Sequence, residues 1–217
     1  VRIDLASGDL SEMELDGRFT GVVHGTDRII AHRGTVVYGT ETRADGSRGV
    51  VNVGDELSVW NLKSDGTDPQ YICPFMFAHA TTLGLSGMMQ GAGKFPDKCI
   101  WVAEAGKEPV KLVSGPYFWH TGASADGEWI VGDTNWPDEG LQLVHVPSRN
   151  FTTLCYPNAT QDHVEYGHPH PALSQDGRIC VFRSDRTGMS QVYVAHITEE
   201  FRERLRTGEV ASGPKWF

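Results

Sequence analysis

His120-Thr-Gly-Ala-Ser-Ala-Asp126-Gly127 and His170-Pro-Ala-Leu-Ser-Gln-Asp176-Gly177 carry one pattern: a histidine, five residues, then Asp-Gly. A β-rich run follows each, Glu128-Trp-Ile-Val-Gly-Asp133 in one and Arg178-Ile-Cys-Val-Phe-Arg183 in the other. Asp-Gly between two such runs is a hairpin signal, because glycine accepts the positive φ that tight turns demand. Each copy continues through a polar loop to a third run, Leu141-Gln-Leu-Val-His-Val146 and Gln191-Val-Tyr-Val-Ala195. The first adds a turn, Pro147-Ser-Arg-Asn150, and a fourth run, Phe151-Thr-Thr-Leu154. The repeat period is about fifty residues.

Two more degenerate copies lie upstream. One starts at His79-Ala-Thr-Thr-Leu-Gly-Leu-Ser86-Gly87 and continues through Cys99–Ala103 and Pro109–Val113. The earlier one is Gly34–Gly39, Glu56–Leu62, a Ser64-Asp65-Gly66 turn and Gln70–Cys73. Four short strands per repeat, at about forty to fifty residues, are the pattern of a β-propeller blade. The predicted fold is therefore all-β, a propeller with about four four-stranded blades in this chain, in a single domain over residues 1–217. Val1–Leu10 reads as a strand running into a Ser-Gly-Asp turn, already inside a fold. The expectation is the C-terminal portion of a larger ring whose N-terminal blades are missing. Glu199–Arg206 predicts a short helix or an extended tail after the last blade, ended by Gly208.

The chain has 217 residues, 39% hydrophobic and 22% charged. That composition supports a large core and excludes a disordered chain. No apolar run approaches the length that crosses a bilayer. A net charge of −9 argues against a nucleic-acid surface, which would be basic. It also requires that any anionic ligand be held by a local cluster of metal, Arg, Lys or His. The four cysteines, Cys73, Cys99, Cys155 and Cys180, are far apart and sit in or beside apolar stretches. They read as reduced structural thiols of a cytoplasmic protein, although two disulfides are also compatible with the spacing.

Repeat register singles out the histidines. In a propeller the entry to each first strand opens on one face, and the Asp-Gly hairpins lie on the other. His79, His120 and His170 occupy that entry in successive repeats, so they converge on one channel mouth. His168 lies two residues before His170, and alternate residues of an extended segment share a face, about 7 Å apart at the backbone. Pro169 and Pro171 stiffen the segment. The loops at 41–55, 91–98, 134–140 and 185–190 are expected around the same mouth. Three imidazoles plus a carboxylate suit Mn, Fe, Zn, Ni or Cu. Glu165, three residues before His168, is the candidate oxygen ligand, with Gln161 and His163 as further candidates in that connection. Taken singly, His79 and His120 read as satisfied structural residues, and the His168–His170 pair reads either as half of a metal site or as a cap on a strand entering a sheet; their common register is what favours a site. His145 and His196, in third strands, read as structural, and His24 and His32 carry no assignment.

His168-Pro-His170-Pro, the Leu-Ser-Gln-Asp-Gly that follows, and Phe182-Arg-Ser-Asp-Arg-Thr-Gly-Met-Ser-Gln-Val-Tyr-Val194 resemble the last blade of oligogalacturonate lyases. These are seven-bladed propeller polysaccharide lyases with a more distant likeness to TolB-type propellers. The resemblance runs from about Phe77 onward and is most specific at the histidines. It implies Mn²⁺, or another divalent transition metal, held by His120, His168 and His170, with a fourth ligand at Glu165, where the family has Gln. It implies that His79 is the catalytic base, and that an Arg stands near it. Arg48 is the best match for that Arg and Lys94 a weaker one. The implied substrate is a small anionic oligosaccharide, an oligogalacturonide or related uronide, with neither nucleic acid nor membrane as partner. The implied reaction is β-elimination, in which a histidine removes the C5 proton while the metal holds the C6 carboxylate. Two other readings share this fold: a non-catalytic TolB-like propeller that binds protein or glycan, and a metal-dependent hydrolase or isomerase. The sequence does not encode a legible oligomeric state.

Overall fold

Short runs rich in Val, Ile, Leu and aromatic residues, punctuated by Gly, Asp and Pro, fold as antiparallel strands. The computed structural model describes residues 2–3, 6–11, 18–23, 26–34, 36–42, 48–55, 58–74, 77–93, 97–134, 137–160 and 167–210. In several strands, Arg48 among their residues, only the backbone is described. These residues form nineteen strands and one helix, and group into four antiparallel sheets of three or four strands with two two-stranded ribbons. The chain divides into two compact units, Val1–Phe75 with Ala105–Lys107, and Met76–Glu104 with Glu108–Phe217.

In the first unit, β1 (Arg2–Ile3) pairs with β2 (Leu10–Ser11) across a turn at Gly8, whose φ is +77°. The main sheet runs in the order β3 (Arg18–Val23), β4 (Arg28–Arg33), β7 (Ser58–Lys63), β8 (Gln70–Pro74). Between β4 and β7 the chain leaves the sheet as a separate hairpin of β5 (Val36–Thr42) and β6 (Arg48–Asp55). This corrects the expectation of a blade strand at Gly34–Gly39 and a loop at 41–55. The physical reason lies in β4, where Ile29 and Ala31 bury against Leu62 of β7. With β4 and β7 paired directly, β5 and β6 pair with one another instead, from Val36 opposite Asp55 to Thr42 opposite Arg48.

The second unit stacks three sheets. The first has the order β9 (Phe77–Thr82), β10 (Met89–Gly93), β11 (Cys99–Ala103), β12 (Val110–Ser114). The second is β13 (Phe118–Ala123), β14 (Trp129–Thr134), β15 (Leu141–His145), β16 (Asn150–Cys155), and the third is β17 (Ala172–Leu173), β18 (Ile179–Ser184), β19 (Gln191–His196). The middle sheet is buried on both faces, as strand alternation permits. Ile130 and Val144 join Leu83, Ile100 and Phe118 on one side. Trp129, Val131, Leu141 and Leu143 join Cys180 and Phe182 on the other.

The repeat register inferred from Asp-Gly is visible in the hairpins. Leu83, Ser124 and Ser174 each donate a backbone N–H to the carbonyl five residues on, at Met88, Trp129 and Ile179. Each turn then has its first residue four positions after His79, His120 or His170. Neighbouring turns are themselves bonded, Leu85 N–H to the Ala125 carbonyl and Ala125 N–H to that of Gln175. Gly84 is required at one of these crossings: its φ is +61°, and a Cβ there would lie 2.4 Å from the Ala125 carbonyl oxygen.

The open face of the third sheet has a counterpart in the second. β14 pairs Val131 with Leu143, and β18 pairs Val181 with Val194. Val131 and Leu143 are fully buried, whereas Val181, Val192 and Val194 are 39%, 70% and 54% exposed. After β19 the chain forms α1 (Glu199–Arg206), capped by Thr198, whose hydroxyl accepts from Phe201 N–H. Leu205 of this helix completes the core below Trp129. Gly208 follows at φ +84°. All four cysteines are free thiols; burial pushes Cys73 and Cys180 up to about 12 and Cys99 up to about 11. Among the described residues, no helix is long and apolar enough to cross a membrane.

Candidate metal centre

The site is made at two bulged first strands and at the irregular entry to a third. In the middle sheet Phe118 opposes Thr134 and Thr121 opposes Gly132, so Trp119 and His120 together face Asp133. This is a β-bulge, which turns side chains out of the usual alternation. In the first sheet Thr81 opposes Gln90 and Ala78 opposes Ala92, so His79 and Ala80 together face Gly91. His79 lies in this second bulge at φ +50°. His168-Pro-His170 is not a strand; it is the irregular entry to β17, with His170 at φ +45°. The extended-segment reading of that dipeptide pair therefore fails in detail, yet both rings still reach one place.

Among the described residues, His120, His168 and His170 bring ligand nitrogens within 4.8 Å of one another. Ring centroids are 3.7 Å apart for His120 and His170, 5.7 Å for His120 and His168, and 6.0 Å for His168 and His170. His120 and His168 are buried, and His170 is open to solvent. His79 stands beside them, its centroid 4.4 Å from that of His120. Trp119 fills the space between, 4.9 Å from His168, and donates its indole N–H to Nε2 of His79 at 3.1 Å.

Asp133, 2% exposed, binds this group from below. Its Oδ1 accepts from the His120 backbone N–H at 2.6 Å, and its Oδ2 lies 2.9 Å from His120 Nδ1. Oδ2 also accepts from the His170 backbone N–H at 3.2 Å.

Burial pushes His79 down to about 4, helped by repulsion from His120 and His168 and opposed by Asp133. His170, exposed on the outside but partly desolvated by the cluster, is likewise pushed down to about 4, first by that desolvation and then by His120. Both rings are neutral near pH 7, which is the form that can ligate a metal or accept a proton. Next to His170 a cavity of about 400 Å³ is lined by Pro169, Ala172, Val181, Phe182, Arg183 and Val192.

The structure thus gathers His79, His120, His168 and His170. Glu165, Gln161, His163, Lys94 and His24 lie outside the described residues. Arg48 opens β6 opposite Thr42, in a strand of the first unit rather than in a loop, and its side chain is not described. His145 is structural, bonded through Nδ1 to Ser148 Oγ and packed on Trp129. His196 ends β19 and is exposed, and His32 lies in β4. Asp133 escaped the sequence reading. The available signal was a carboxylate ending an otherwise apolar strand, Trp129-Ile-Val-Gly-Asp133.

The donor set fits a divalent transition ion: three imidazole nitrogens already converge, and the rear of one is held by a buried carboxylate. Comparison with known proteins gives the fold. No protein-family profile and no curated protein sequence matches the chain. A solved oligogalacturonate lyase in complex with manganese superposes with a TM-score of 0.62 at 17% identity, over 92% of this chain and 54% of that one. An oligogalacturonate lyase from Vibrio parahaemolyticus gives a TM-score of 0.63 at 17% identity with the same coverage. A structural-genomics protein of unknown function from Bacteroides thetaiotaomicron gives 0.50 at 12% identity, over 87% of this chain and 43% of that one. The chain thus spans about half the length of these neighbours. The likeness establishes an all-β, propeller-like fold.

Proposed function

We propose that this chain is part of a metal-dependent uronate lyase that cleaves short oligogalacturonides or related uronides by β-elimination. The observation that carries the reading is the convergence of His120, His168 and His170, with the neutral imidazole of His79 packed against His120. In this reading residues 1–217 belong to one propeller domain of a seven-bladed ring in a cytoplasmic protein, and Glu165 completes the ligand set. Mn²⁺ is the proposed ion, and when bound it supplies Lewis acidity and positive charge at the substrate's C6 carboxylate.

His79 takes the proton from C5 as a neutral base. The electron pair left at C5 forms the C4–C5 double bond, the C4–O bond breaks, and the departing oxygen takes up a proton. The products are a new reducing end and an unsaturated uronide. Trp119 must release Nε2 of His79 before that nitrogen can act, because the indole N–H occupies its lone pair. Arg183, beside the cavity next to His170, is placed to meet a second carboxylate of an anionic chain.

The test is turnover of digalacturonate with added Mn²⁺, followed by the ultraviolet absorbance of the conjugated product. Product formation that is lost in His79→Ala supports the lyase. Full Mn²⁺ binding with no product from digalacturonate or longer uronides contradicts it and favours a binding protein.

A further inference from the structure

The metal reading uses imidazoles from two successive sheets and leaves the carboxylate between them without a task. Asp133 is buried, and among the described residues its three partners are N–H groups: the ring and backbone of His120 and the backbone of His170. Both histidines lie where the chain leaves regular geometry, His120 in the bulge opposite Asp133 and His170 at φ +45°. A non-glycine residue holds such a φ only when its surroundings impose it. A carboxylate offers acceptors only, so Nδ1 of His120 must carry the hydrogen. That leaves the lone pair on Nε2, the arrangement found when a carboxylate orients a metal-bound imidazole.

We infer that Asp133 is the positioning residue of this centre. It sets the tautomer of His120 and holds the backbone of His170, so that ligands from two sheets act as one site. The inference rests on the metal reading above.

The test uses the full chain and Mn²⁺ itself, titrated by calorimetry and by loss of the free-ion EPR signal. Asp133→Asn should weaken Mn²⁺ binding by roughly 10–100-fold while the circular dichroism is kept. Nitrogen-15 NMR of the metal-free protein should show His120 as the Nδ1–H tautomer in the parent and a mixture in Asp133→Asn. A purely structural aspartate would not move that signature. If Asp133→Asn binds Mn²⁺ as tightly as the parent, the inference is overturned. It is equally overturned if parent His120 carries its hydrogen on Nε2, a measurement that stands even if the variant does not fold. A parent that binds no Mn²⁺ is a separate failure: it removes the metal reading, and the inference with it.

Discussion

Trp119 donates its indole N–H to Nε2 of His79, 3.1 Å away, so the imidazole nearest the ligand cluster has one lone pair occupied. The two residues come from adjacent sheets, each from a bulge. The bond fixes which ring nitrogen carries the hydrogen, while burial is the first cause of the ring's neutral form.

Trp119→Phe keeps an aromatic ring in place and removes this donor. A hydrogen bond to the neutral form disfavours protonation. The titration midpoint of His79, followed by NMR of its ring protons, should therefore rise above about 4, while burial and the neighbouring imidazoles keep it below the ordinary value of 6.5. An unchanged midpoint would mean that the indole bond has no hold on the base.

The metal-free protein should lose stability in mild acid. His79 and His170 titrate near 4 when folded, against an ordinary value of 6.5. Between these values the unfolded chain binds more protons, so stability rises with pH. The contribution is fully present above about 6.5 and is lost as pH falls toward about 4. Thermal melts across this window should show the midpoint falling with pH. A flat profile would contradict the shifts.

Gly84 and Gly106 separate steric contact from backbone preference. Both have positive φ, +61° and +77°, but a Cβ at Gly106 meets nothing within 4 Å. Gly106→Ala should cost about 1–2 kcal/mol, the penalty of the left-handed region alone. Gly84→Ala should cost clearly more, because its Cβ also strikes the Ala125 carbonyl of the next turn. Urea unfolding of the two variants gives the comparison, and equal losses would mean that this turn-to-turn contact yields freely.

Much of this was legible because strand pairing repeats. Cys99–Ala103 is the strand as read, and the Glu199–Arg206 helix has the bounds its charges and Gly208 predicted. His79, His120 and His170 share a register because identical hairpin bonds follow each by four residues. The β5–β6 ribbon was not legible, since a strand's partner depends on distant burial rather than on its own pattern. The bulges at His79 and His120 were hidden for a related reason: each needs one residue of mismatch between two strands, which neither strand announces alone. Asp133 was hidden by the same mismatch, because only the bulge brings it to the His120 backbone.

The central claim, that His120, His168 and His170 form one metal centre, is tested most directly by equilibrium dialysis against Mn²⁺ with bound metal measured by atomic emission. The parent chain should retain one ion, and His120→Ala, His168→Ala and His170→Ala should each lose it while keeping the parent's circular dichroism. A parent without bound metal, or a folded His168→Ala variant with undiminished metal, would contradict it.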